Sequence, residues 1–144
     1  MKRRNFLRLG FAGAGLMILN TKPLLAEVKP AQQLVGAGGL FYTKENPGRW
    51  EGKMATHLPT VEIEKSGSGA TIKVITAHEM KEFEHYIVKH VLLDKNYQFL
   101  DEHFFNPTVD KIAQSTFTLP NYSGTFHVLS LCNKHDLWLN SVQL

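Results

Sequence analysis

From residue 59 onward the chain breaks into short runs of alternating apolar and polar residues, separated by turn formers at spacings of roughly ten residues. Successive side chains of a strand face opposite ways, so such runs suit sheets with one face buried and one wet. Residues 60–64 set Val61 and Ile63 against Glu62 and Glu64, and "KSGSGA" follows as a turn. Residues 71–76 alternate Ile72 and Val74 with Lys73 and Ile75. "HYIVKHVLLD" (85–94) is a long β-branched run closed by "DKN". Residues 115–119, 124–132 and 137–144 supply further strands, while "LDEHFF" (100–105) reads as an acidic loop. The spacing predicts a helical turn over 106–114, capped by Asn106 or Thr108, and allows another at "AQQLV" (31–35). The expected fold is all-β: an immunoglobulin-like antiparallel β-sandwich or barrel of about seven strands.

The first 26 residues follow a different logic. Lys2, Arg3, Arg4 and Arg8 precede "FAGAGLMIL", an apolar stretch too short to span a bilayer, and "KPLLAEV" offers a cleavage position at Ala26. Arg3-Arg4-Asn5-Phe6-Leu7 resembles a twin-arginine export signal, which implies a protein exported already folded. The expectation is an export signal at 1–26, one domain at 27–144 and a periplasmic location. Membrane contact would come only through an uncleaved signal. Five of the 16 basic residues and none of the 13 acidic ones lie in that segment, so the rest carries 11 against 13, a net of −2. The overall charge of +3 therefore belongs to the leader, and nucleic-acid binding has no support.

Cys132 is the only cysteine, so no internal disulfide can form. In an oxidising compartment an idle exposed thiol is a liability, which favours burial or a metal. His135 follows it in Cys-x-x-His spacing, close enough for a tight turn to bring both to one ion. His57 precedes a strand, His78 ends one and His85 begins another, and strand ends can gather distant residues. His127 and Cys132 differ by an odd number, so a regular strand sends them to opposite faces. His90 opposes His85 in the same way, and His103 sits in the acidic stretch; these three read as surface or core-satisfied residues. Structural zinc favours more sulfur, and blue copper calls for an axial methionine that does not follow His135. A nitrogen-rich site with one thiolate suits redox-active iron with an open position.

Three segments taken in order, "ENPGRWEGKMATHLPTVEIE", "HEMKEFEHYIVKHVLLD" and "LCNKHDLWLN", resemble the superoxide reductase family, the neelaredoxins and the iron-binding domain of desulfoferrodoxins. The likeness covers roughly residues 40–144. It implies a mononuclear iron (Fe2+/Fe3+) held by four equatorial histidines, His57, His78, His85 and His135, and by Cys132 as axial sulfur. It implies one-electron reduction of superoxide to hydrogen peroxide, with an external electron donor and room for a homo-oligomer. With no cysteine before Cys132, the four-cysteine iron domain of desulfoferrodoxins is not expected. Two departures stand out. Ala55-Thr56 occupy the place of the family's Glu-Lys pair, which leaves nearby Lys53 as the candidate for attracting superoxide and delivering protons. Seven positions rather than the usual six separate His78 from His85. Backbone N–H groups of Lys134 and His135 are expected at the Cys132 sulfur. Trp50 and Trp138 read as packing aromatics, Glu84 as a solvated acid, and residues 46–48 as a turn leading into the ligand loop.

Overall fold

The computed structural model describes residues 34–144. The export signal expected at 1–26, and most of the turn expected at 31–35, lie outside that range. Seven strands follow one another: β1 (Thr60–Ser66), β2 (Gly69–Thr76), β3 (Ile87–Leu93), β4 (Phe99–Phe104), β5 (Ala113–Leu119), β6 (Thr125–Cys132) and β7 (Asp136–Gln143). They form two antiparallel sheets, ordered β1-β2-β5 and β4-β3-β6-β7. The architecture is the all-β arrangement that the alternation implies. No helix among the described residues is long and apolar enough to cross a membrane.

Alternation decides what each strand buries. Ala70, Ile72 and Val74 on β2, Phe117 and Leu119 on β5, Leu92 on β3, and Phe126 and Val128 on β6 make one apolar core. Fully burying one such Val, Leu, Ile or Phe side chain contributes about 1.5–3 kcal/mol. One step further along the same strands the inward residues turn polar: Thr76, His90, Ser115 and Ser130. Beyond that layer Ile87, Phe105, Ala113 and Cys132 form a second small cluster.

Topology explains how residues far apart in sequence reach one place. β1 starts just after His57, and β2 runs out toward His78. β3 is entered from His85, β6 ends on Cys132, and β7 starts directly after His135. Antiparallel pairing of β1 with β2, of β3 with β6 and of β6 with β7 brings these starts and ends to the same edge of the molecule. In β3 the register shifts between Ile87 and Lys89, so Ile87 and His90 both face inward despite their odd separation.

Two expectations need correction. Residues 99–104, read mainly as an acidic loop, are edge strand β4 paired with β3. Its Asp101, Glu102 and His103 hide the alternation, as charges on a sheet edge do. The stretch 106–114 makes one turn and no helix. Asn106 Oδ1 accepts from the Thr108 N–H, the Val109 and Asp110 N–H groups return to the Asn106 carbonyl, and Ala113 and Gln114 are recruited into β5. Asn106 does cap, as an Asx turn. The turn at 46–48 leads into a 3-10 turn, Gly48–Trp50. Gly48 has a φ of +49°, and a Cβ there would meet the Gly38 carbonyl oxygen at 2.4 Å and Tyr42 at 2.9 Å. Only glycine fits this close approach.

Candidate metal centre

Each of the four histidines at the strand ends is held from outside by a different device. His57 closes a four-residue helix, Met54–His57, which Pro59 prevents from continuing. Its Nδ1–H donates to the Lys53 carbonyl at 3.0 Å, with the Thr56 hydroxyl alongside at 2.8 Å. His78 follows β2 and donates through Nδ1 to the Glu79 carbonyl. His85 donates from Nδ1 to the Glu79 carboxylate at 3.1 Å. Its backbone is tied to Lys81 in both directions, at 2.8 and 3.3 Å. Trp138 Nε1 donates to the His135 carbonyl, and Trp50 packs edge-on against the His135 ring at 4.7 Å.

These outward bonds set the tautomers. With Nδ1 as donor, His57, His78 and His85 each turn an Nε2 lone pair inward. His57 Nε2 and His85 Nε2 each lie 3.0 Å from His135 Nδ1, and His78 Nε2 lies 3.0 Å from His85 Nε2. Cys132 Sγ is 3.6 Å from His78 Nε2 and 3.5 Å from His135 Nδ1. One ligand atom from each of the five residues falls within 4.8 Å of every other. Burial pulls His57 down to about 4, His78's basicity below the ordinary range and, with help from His85, His135's too. Burial pushes the Cys132 thiol up, against the Lys134 N–H that approaches the sulfur at 3.4 Å.

The donor set fits a metal ion. Two inward Nε2 lone pairs facing each other at 3.0 Å repel unless a cation lies between them. Adjacent nitrogens on an ion with bonds of about 2.1 Å stand about 3.0 Å apart when the bonds are perpendicular, matching the three close contacts. Imidazole and thiolate suit several transition metals, and a cation would draw the proton off the thiol.

The five residues singled out in the sequence come together, while the remaining histidines go elsewhere. His90 is wholly buried in the polar layer, His127 lies under Tyr97 with ring centroids 4.3 Å apart, and His103 is exposed on β4. Lys53 is exposed at the start of the His57 helix, and its charge, with that of Lys134, bears on the His135 ring. Thr56 fills part of the space beside His57 Nδ1.

Three contributors were not legible in the sequence. Glu79, rather than Glu84, receives His85, while Glu84 reaches only toward Lys134 at 3.8 Å. Asn133 accepts the Tyr86 N–H at 3.0 Å and donates to the carbonyls of Phe83 and Glu84, at 3.3 and 3.2 Å, so it ties the His85 loop to the Cys132 turn. Asp136, at a φ of +61°, accepts from Trp50 Nε1 at 2.8 Å and from Arg49, which ties the His57 approach to the His135 turn. Trp50 and Trp138 are therefore hydrogen-bonded supports as well as packing aromatics. The position of asparagine inside C-N-x-H was the one available signal for Asn133.

Comparison with known proteins points the same way. The family model described as desulfoferrodoxin matches residues 49–141. Among solved structures, a single-substitution variant of the superoxide reductase (neelaredoxin) from Ignicoccus hospitalis is 27% identical, with a TM-score of 0.64, over 73% of this chain and 93% of that one. A hypothetical protein from Pyrococcus horikoshii is 25% identical, with a TM-score of 0.54, over 62% and 89% of the two chains. The superoxide reductase from Nanoarchaeum equitans shares the fold at 21% identity, with a TM-score of 0.53, over 62% and 94%. No curated protein matches the sequence. Since the matched span takes in all five clustered side chains, the chain belongs to the desulfoferrodoxin family.

Proposed function

We propose that this protein is an exported, mononuclear iron superoxide reductase. The reaction joins one superoxide anion, one electron and two protons into hydrogen peroxide, and an external donor replaces the electron. The observation that carries this reading is the convergence of four imidazoles and one thiol within 4.8 Å, inside the span matched by the family. His57, His78, His85, His135 and Cys132 would hold the metal. Bound there, iron supplies the electron by moving between its ferrous and ferric forms.

The chain's own groups prepare that chemistry. Lys53, Glu79 and the Glu79 backbone hold three imidazoles by Nδ1, which keeps each Nε2 free to bind. The Lys134 N–H steadies negative charge on the Cys132 sulfur. Lys53 and Lys134 add positive potential beside His135 that draws in a small anion. Lys53 takes the part of the family lysine, whose usual place is held by Thr56.

Purified protein, loaded with iron and oxidised, should show a thiolate-to-ferric charge-transfer band that vanishes in Cys132→Ser. Iron bound without such a band would overturn the five-ligand reading. A second reading, a non-catalytic iron or electron carrier, is favoured by Ala55-Thr56 in place of the Glu-Lys pair. Rapid mixing of the reduced protein with superoxide separates the two, since only a reductase reacts quickly. Lys53→Met should slow that step; an unchanged rate would remove Lys53 from the mechanism.

A further inference from the structure

Between the apolar core and the five-donor cluster lies a layer of four buried polar side chains that the proposed chemistry leaves unused. His90 Nδ1 is 2.7 Å from Ser115 Oγ, and its Nε2 is 2.9 Å from Thr76 Oγ1. Thr76 Oγ1 is in turn 2.8 Å from Ser130 Oγ. All four residues are at most 4% exposed. Thr76 and Ser115 belong to the three-stranded sheet, and His90 and Ser130 to the other. The chain of hydrogen bonds therefore crosses from sheet to sheet.

Its position along the strands matters more than its strength. Thr76 stands two residues before His78, and Ser130 two residues before Cys132. At about 3.3 Å per residue, each is one inward step from a cluster residue. β2 and β6 lie in different sheets, so no backbone ladder fixes the distance between their ends. Apolar packing there would be non-directional, and an apolar layer of the same shape would be close to neutral for stability. Hydrogen bonds of 2.7–2.9 Å constrain both length and angle.

We propose that His90 is a positioning residue for the metal centre: it anchors the Thr76 hydroxyl, whose own bond to Ser130 ties the end of β2 to the end of β6, and so sets the placement of the Cys132 sulfur relative to His78. This inference rests on the five-ligand reading of the cluster. Burial holds His90 down to about 3, so its ring stays neutral and accepts at one nitrogen while donating at the other. The hydroxyls follow that direction, and either direction satisfies all three bonds.

The test compares the full chain with His90→Phe, which keeps a ring and removes both bonds, with Thr76→Val, which removes only the hydroxyl, and with His90→Gln, whose amide can both donate and accept. On iron-loaded protein, His90→Phe and Thr76→Val should shift the thiolate-to-ferric band and speed iron loss to a chelator by about tenfold or more. His90→Gln should recover much of both. On metal-free protein, the first two should raise the reaction rate of Cys132 with an aromatic disulfide by about tenfold, as a loosened end of β6 bares the thiol. A purely structural role would lower Tm in all three variants, without moving the band and without rescue by glutamine. An unmoved band and unchanged iron loss in folded Thr76→Val and His90→Phe would overturn the inference. If wild-type protein showed no thiolate band, the functional reading would fall, and the thiol-reactivity arm would decide the positioning role: a rise supports it, and no change overturns it.

Discussion

The cluster at the strand ends and the polar layer beneath it both bury histidines, and both depress their basicity by burial, His57 to about 4 and His90 to about 3. Burial and pKa thus fail to tell them apart. Their partners do. His90 spends both ring nitrogens on hydroxyls and has nothing left for an ion. His57, His78 and His85 spend only Nδ1, on outward acceptors, and turn Nε2 toward other lone pairs. An incomplete set of partners, gathered at one point, marks a binding centre; a complete set marks a structural seam.

The contrast can be broken most strongly at the cluster. Cys132→Ser should abolish the charge-transfer band and most iron retention while leaving the fold intact, as judged by circular dichroism. Stripping wild-type protein of metal should lower its stability by about 4 kcal/mol if free metal stood at about 1,000 times Kd, read as a fall in Tm. Asn133→Ala tests the outward supports. It removes the clamp between the His85 loop and the Cys132 turn, and should weaken metal affinity about 10- to 100-fold in a chelator competition.

The seam should answer to pH. His90 is neutral when folded and has a pKa near 6.5 when unfolded, so below that value the unfolded chain binds the extra proton. Its contribution is fully present above pH 6.5 and is lost as pH falls toward about 3, at up to about 1.4 kcal/mol per pH unit. His103, across the strand pair on β4, adds a smaller push in the same direction. Metal-free His90→Gln should therefore show a flatter loss of stability between pH 6 and 4 in urea titrations; an unchanged slope would mean that His90 is not the buried neutral group. The smallest effect belongs to a pair remote from both regions. Lys73→Ala removes the exposed contact with Glu62 and should cost less than about 1 kcal/mol, with no change in metal affinity.

How much of this was legible beforehand varied with the kind of signal. β1, β2 and β5 announce themselves because one face is packed and the other wet, as Val61 and Ile63 do against Glu62 and Glu64. β6, covered on both faces, shows instead as a mainly apolar run between Gly124 and Asn133. β4 did not, because an edge strand carries charges where a central one carries apolar residues. Parity correctly parted His127 from Cys132 along a regular β6. The same argument for His85 and His90 assumed one regular strand, whereas β3 begins only at Ile87 and carries a bulge. His90 stays out of the cluster because hydroxyls occupy both its nitrogens.

The linear order of residues determined the alternation, the single cysteine, and the motifs that place His57, His78, His85, Cys132 and His135 within one family pattern. Those are local properties, visible in a window of a few residues. Only the tertiary structure decided that Glu79 rather than Glu84 holds His85, that Asn133 and Asp136 lock the loops together, and that Thr76, Ser115 and Ser130 complete His90. A hydrogen bond needs its partner within about 3 Å at the right angle, and these partners lie on strands that meet only once two sheets have packed.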